Sequence, residues 1–257
     1  MRRTDYESIA PRFDQNVVRY RIDVDAHLEA LVGDRATPVR ALDLGCGTGN
    51  YLVKQQAAFG ERVSWTGMDP SEGMLAIARS KLPHTSFVIG RAEVMPFSDA
   101  AFDYVATNFA FHHFEDKERA LDEIVRVSAP AAGLRIANID PTRMPGWWGY
   151  RLFPETIEID EARFWTTARI TEALEARGYE VEVRVVVESS RVSARDVLEE
   201  ARRRDVSQLA VLDDAAYERG LARVTELASA SADARLRSEV AVATVRASRR
   251  AYGPVTP

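Results

Sequence analysis

Cysteine is nearly missing from this chain of 257 residues, with Cys46 the only one. That excludes an intramolecular disulfide and a cysteine-built zinc site. Lysine is almost as scarce. Lys54, Lys81 and Lys117 are the only three, and the arginines are scattered among acids apart from the run Arg202–Arg204. With 34 Lys+Arg against 39 Asp+Glu the net charge is −5, so no basic field calls for a nucleic-acid partner. No run approaches the roughly 18 apolar residues that cross a bilayer. The opening M-R-R-T-D-Y-E-S has no apolar signal-peptide core, and there is no internal repeat or low-complexity linker. These absences imply a cytoplasmic globular protein with no membrane partner, organised as one domain over 1–257.

What is present can build a core, since 46% of the residues are hydrophobic and 28% are charged. The chain is organised around V-R-A-L-D-L-G-C-G-T-G-N, residues 39–50. An apolar strand-type run ending in Asp43 leads into Gly45, Gly47 and Gly49, and Y-L-V-K-Q-Q-A-A-F then reads as a helix. Glycines there let the backbone turn sharply and bring its N–H groups to a ligand. The dinucleotide fingerprint G-x-G-x-x-G would need glycine at position 50, where Asn50 stands.

Residues 5–15 and 17–32 read as helices, 62–69 as a strand ending in Asp69, 71–82 as a helix and 86–89 as a strand. The loop 90–97 precedes a strand at 102–108 and the segment F-A-F-H-H-F. A helix at 116–128, a turn at 130–133 and a strand at 134–140 follow. Alternation at this interval predicts an α/β fold, a doubly wound, mostly parallel sheet with helices on both faces. Ligands in such sheets bind beyond the C-terminal ends of the strands, where Asp43, Asp69, Arg91–Glu93, Asn108–His113 and Asn138–Asp140 all fall. After Asp140 come an aromatic stretch at 141–165, a helix at 166–177, a β-rich run at 179–188, a charged helical insertion from 193 to about 229 and a last strand at 239–248. Residues 1–36 would form a helical cover, 37–140 the binding core, and 141–165 with 189–237 a helical, aromatic cap.

The pattern hh-D-h-G-C-G-T-G, with the motifs at 69–70, 90–103 and 120–133, resembles the class I S-adenosylmethionine-dependent methyltransferases of small-molecule type. The resemblance covers about residues 37–140. It implies a Rossmann-like sheet whose loop, with Asp43, Gly45, Cys46 and Gly47, holds the amino-acid end of S-adenosylmethionine. Asp69 would then accept the ribose hydroxyls, with Pro70 and Met74 beside it. Arg91 and Ala92 would flank the adenine, with Glu93 either a substitute acceptor for its amino group or an exposed loop acid. Asn108 and Phe109 would close over the ribose and methionine. Y-x-x-I-A-x-x-F-D at the N-terminus resembles the family's covering helix, with Tyr6 and Phe13 either over the cofactor or packing their own helix.

Methyl transfer from a sulfonium needs alignment and exclusion of water, and a base only when the acceptor must lose a proton. His112 is the preferred base, with His113 its neighbour and Asp140 as an acid to orient it; both histidines as loop packing is the competing reading. Trp147, Trp148 and Tyr150 would wall an acceptor or pack in the cap. Adjacent histidines rarely converge on one ion, and Glu115 and Asp116 lack a ligand spacing, so no metal is expected. The reading is a methyltransferase acting on a small-molecule acceptor at O, N or C and releasing S-adenosylhomocysteine. Two alternatives stay open: a nicotinamide-dependent reductase, and a cofactor-binding regulatory protein without transferase activity. A homo-oligomer is also open.

Overall fold

The computed structural model describes residues 4–14, 22–33, 35–204, 206–231 and 233–249. A central strand buried on both faces is the first consequence of the apolar run at 39–44: in β1 (Val39–Leu44) only Arg40 is exposed. That pattern belongs to a parallel strand covered on both sides. β1 pairs in parallel with β2 (Val63–Asp69) and with β4 (Phe102–Asn108). β2 pairs with β3 (Ser86–Ile89), and β4 with β5 (Ser128–Ile139), again in parallel. With β6 (Tyr179–Ser193) and β7 (Arg235–Arg249) the sheet has seven strands in the order β3-β2-β1-β4-β5-β7-β6. This is the doubly wound, mostly parallel α/β architecture implied by the alternation of elements.

Helices α1 (Tyr6–Phe13), α2 (Ala26–Val32), α3 (Asn50–Phe59), α4 (Glu72–Lys81) and α5 (Lys117–Val127) accompany the first five strands. Their starts follow from capping chemistry. Asp25 accepts from His27 N and Leu28 N, Ser71 from Met74 N, and Asp116 from Arg119 N. The helix expected over 17–32 is shorter, because residues 22–25 are not helical and Asp25 caps the start of α2; 15–21 lie outside the described residues. The turn expected at 130–133 is instead part of β5. Register jumps from Phe102↔Ser128 to Tyr104↔Gly133, and the extra residues bulge out with Ala131 at φ 62°.

By packing, the chain divides into two compact units. One comprises Tyr6–Asn138, Thr167–Arg184 and the chain from Thr244. Its helices include α8 (Thr167–Glu175), and Leu28, Val39, Leu52, Phe59, Trp65, Leu75 and Tyr104 lie in its core. The other comprises chiefly Ile139–Thr166 and Val185–Ala243. It holds α6 (Trp148–Leu152), α7 (Thr156–Arg163), α9 (Ala194–Arg203), α10 (Ser207–Ala210) and α11 (Asp214–Ala230). In this second unit Trp147, Trp148, Tyr150, Phe153 and Tyr217 are buried together. Trp147 meets Tyr150 edge-on at 5.0 Å, and Phe153 stacks on Tyr217 at 6.2 Å.

A buried polar cluster ties α2 to the sheet in the first unit. Asp25, 4% exposed, accepts from Tyr51 Oη at 2.6 Å and Tyr104 Oη at 2.5 Å, and Arg135 Nε lies 3.5 Å away. Burial beside this carboxylate pushes both phenols well above their ordinary pKa. Removing the carboxylate would strand two buried hydroxyls and take one partner from the Arg135 guanidinium. Asp25→Ala is therefore expected to cost about 3–5 kcal/mol in urea unfolding, and a loss below about 1 kcal/mol would show the cluster to be dispensable.

Candidate active site

The glycine loop is fastened to β2 through its own amides. Gly45 N and Cys46 N both donate to Met68 O, at 2.7 and 3.1 Å, and Gly47 N donates to Asp69 Oδ2 at 2.9 Å. Two of the glycines are required for different reasons. Gly45 has φ 74°, and a Cβ there would lie 2.4 Å from Ala110 Cβ. Gly47 has φ 52°, but its Cβ would meet nothing within 4 Å. Its hydrogen thus faces an open space beside the loop, of the kind a ligand fills.

Two carboxyls flank this loop. Asp69 at the end of β2 uses its other oxygen to accept from Ser71 N at 3.0 Å. Burial nevertheless raises its pKa, against the pull of those two N–H donors. Asp43 at the end of β1 is 1% exposed, and neither of its oxygens has a hydrogen-bond partner. Burial pushes it up to about 7. Asn108 is near enough to oppose the shift without hydrogen-bonding geometry, and Asp69 adds to it. Asn108 itself is held by Arg135, which donates to its Oδ1. A buried acid without a hydrogen-bond partner, close to the open space at Gly47, is a site that suits a cationic ligand.

The N-terminal helix is locked onto the same loop. Asp14 accepts from Thr48 Oγ1 at 2.7 Å and Asn50 Nδ2 at 3.0 Å, and pairs with Lys81 at 2.5 Å. Despite burial, these partners hold the Asp14 carboxyl below its usual range. Glu7 accepts from Gly73 N at the start of α4. Ile9, Ala10 and Met74 are buried together, with Tyr6 and Phe13 against them. Tyr6 and Phe13 meet edge-on at 6.3 Å. Tyr6 also reaches the turn after β4: its hydroxyl lies 2.6 Å from His113 Nε2, the rings edge-on at 5.1 Å.

His112 and His113 stack tilted, with ring centroids 3.8 Å apart. His112 is buried, and its Nδ1 lies 3.0 Å from Asn138 Oδ1. The amide oxygen only accepts, so the ring donates to it from Nδ1, and in the tautomer this contact selects the lone pair sits on Nε2. Asp140, the residue expected to orient His112, is engaged elsewhere. Its Oδ1 accepts from Thr142 N and Thr142 Oγ1, and Arg143 lies 3.5 Å from Oδ2. It caps the short turn Pro141–Arg143. Phe109, at φ 53° and 49% exposed, is a strained apolar residue at the end of β4.

The third-strand loop is held by ion pairs. Glu93 Oε1 accepts from Glu115 N and Asp116 N, at 2.7 and 3.3 Å. Arg91 pairs with Glu115 at 2.5 Å and with Glu93 at 3.6 Å. The Glu93 carboxylate is thus turned onto the segment after β4. Ala92 is buried and Pro70 exposed. Arg126 donates to Met95 O and Phe97 O, and Glu123 accepts from Met95 N. These α5 side chains have no counterpart among the residues expected from the sequence, because nothing local marks which loop a helix residue will reach; Asn138 is expected at a strand end, but its contact with His112 is not. Trp147, Trp148 and Tyr150 lie in the second unit's core, with Tyr150 Oη donating to Asp160 at 2.8 Å. Among the described residues no cluster of three or more His, Cys, Asp or Glu is placed to hold a metal, and no helix is long and apolar enough to cross a membrane.

Fold and site together define a doubly wound α/β protein with a glycine-loop site at the ends of β1 and β2. Residues 41–131 match the family described as "Methyltransferase domain". A demethylmenaquinone methyltransferase of Listeria welshimeri is 29% identical over 150 residues, which cover 55% of this chain and 64% of that protein. The chain thus spans just under two thirds of the length of that curated relative. Among solved structures, a methyltransferase from an antibiotic-biosynthesis pathway of Anabaena variabilis aligns with TM-score 0.67 and 19% identity, covering 88% of this chain and 98% of that one. The [4+2]-cyclase SpnF aligns with TM-score 0.53 and 24% identity, over 86% and 80%. Over residues 41–131, then, the chain is similar to a methyltransferase domain, and its fold is that of the methyltransferase structures it aligns with.

The two glycines are expected to separate on mutation. Gly45→Ala should lower stability by about 1–3 kcal/mol through the clash with Ala110 added to strain. Gly47→Ala should cost about 1–2 kcal/mol of strain and obstruct ligand binding more than stability. Thermal melts with and without S-adenosylhomocysteine distinguish the two, and equal loss of binding and stability at both positions would contradict the assignment.

Proposed function

We propose that this chain transfers the methyl group of S-adenosylmethionine to an oxygen, nitrogen or carbon atom of a small-molecule acceptor in the cytoplasm. The observation that carries the reading is the buried Asp43 carboxyl, without a hydrogen-bond partner beside the open glycine loop. Loop and acid suit the amino-acid end of the cofactor. Asp69 receives the ribose hydroxyls, and Pro70 and Ala92 lie against the adenine. Because the Glu93 and Arg91 side chains are paired with each other and with 115–116, contact with the adenine edge falls to the loop backbone. Asn108 and Phe109 close over the middle of the cofactor, and Tyr6 and Phe13 on α1 shield it from water. When bound, the cofactor supplies an electrophilic methyl group on a sulfonium and leaves as S-adenosylhomocysteine.

His112 takes a proton from a hydroxyl acceptor through Nε2, while Asn138 fixes its tautomer and ring plane. His113 holds Tyr6, and with it α1, against this turn. For the acceptor we propose a hydroxylated aromatic ring, following the name of the Listeria relative. The unit built around Trp147, Trp148 and Tyr150 is assigned to acceptor choice.

The test is transfer from methyl-labelled cofactor to a panel of quinols, phenols, amines and carbon acids. Labelled product is expected with a hydroxylated aromatic. For an oxygen acceptor, His112→Gln should lower kcat by about 10²-fold or more with cofactor affinity retained. Cofactor binding without transfer to any acceptor would overturn the proposal and favour a protein that uses the site for another purpose.

A further inference from the structure

β6 ends the sheet order, so among the described residues one edge of its backbone has no neighbouring strand. Natural sheets shorten such edges or protect them with lysine, proline or bulges. β6 is neither short nor protected by lysine or proline. It runs from Tyr179 to Ser193, 15 residues with no lysine, proline or glycine. Its middle exposes three valines: Val183 at 40%, Val186 at 41% and Val187 at 50%. Arg184 and Glu188 beside them are exposed as well.

We infer that β6 pairs antiparallel with β6 of a second copy of this chain, joining two sheets about a two-fold axis through Val186. The charge pattern selects both the partner and the register. A two-fold axis normal to the sheet places residues of one face opposite residues of the same face. With Val186 opposite its own copy, Arg184 lies opposite Glu188 on both sides of the axis, and Val185 lies opposite Val187. Sliding by one step in one direction sets Glu182 opposite Glu188, a like-charge contact. Sliding the other way sets Arg184 opposite Ser190 and Glu188 opposite Val186. Opposite charges directly across a strand pair stabilise it and like charges oppose it; centring on Val183 would also set Glu182 opposite Arg184, but it pairs only residues 179–187, so charge and full overlap of the strand together select the Val186 register. Edge pairing alone buries less than a standard interface, so the dimer should dissociate in the micromolar range.

Sedimentation velocity of the full chain over a concentration series tests this, with variants at the edge. The wild type is expected to shift from monomer to dimer with concentration. Val186→Lys, which sets two ammonium groups across the axis, should weaken the dimer at least tenfold. Arg184→Glu and Glu188→Arg should each do the same, and the double exchange should restore it. Circular dichroism melts check that the variants stay folded. As a second readout, Val186→Cys should give a dimer that reductant dissolves, Cys46 being buried. A wild type that stays monomeric across the series overturns the inference. So does a dimer unmoved by these substitutions, or a double exchange that fails to rescue.

Discussion

One carboxylate sets the geometry of the site. Asp69 accepts from Gly47 N of the glycine loop and from Ser71 N at the head of α4. It joins the loop after β1 to the turn after β2, and the Met68 carbonyl fastens the first residues of that loop from the same strand. With both anchors in place Gly47 faces open space and Asp43 stays buried behind it. Without them the loop would have no reason to hold three residues at positive φ.

The site is assembled in layers of decreasing burial. Beneath it, Asp25 gathers Tyr51, Tyr104 and Arg135, and Arg135 continues to Asn108. At the strand ends stand Asp43 and Asp69, both with raised pKa because water is excluded. Over the loop lies α1, held by Asp14, Glu7 and the Tyr6–His113 contact.

Much of this was legible in the sequence where the signal is local. β1, β3 and β4 follow from apolar runs that end in Asp, Gly or Asn, and β2 from the alternation before Asp69. Asp-Pro-Thr at 140–142 carried the mark of a cap followed by proline at the first helical position, a local role that fits the placement of Asp140 better than an orienting acid does. The start of β5 was hidden because Pro130–Gly133 has turn composition, and only its pairing with β4 turns that stretch into a bulge. The partners of Glu93, Arg126 and Asn138 were hidden for another reason. Each reaches a residue more than twenty positions away, and charge alone does not say which.

Asp43 is buried, with its pKa pushed up to about 7, and so is placed to meet a cation. A carboxyl raised from about 4 unfolded to about 7 folded opposes folding once it must ionise. Stability therefore falls as pH rises from about 4 to 7 and levels off above. At pH 8 the cost is on the order of 4 kcal/mol, and Asp43→Asn should relieve it. A cationic ligand beside Asp43 lowers its pKa again, so binding near pH 7 must release a proton. Calorimetric titration with S-adenosylmethionine, in two buffers of different ionisation enthalpy, measures that proton directly. Release of a substantial fraction of one proton per site is expected near pH 7, fading by pH 9 and absent in Asp43→Asn. Tight binding with no proton released at pH 7, or release unchanged in Asp43→Asn, would contradict it.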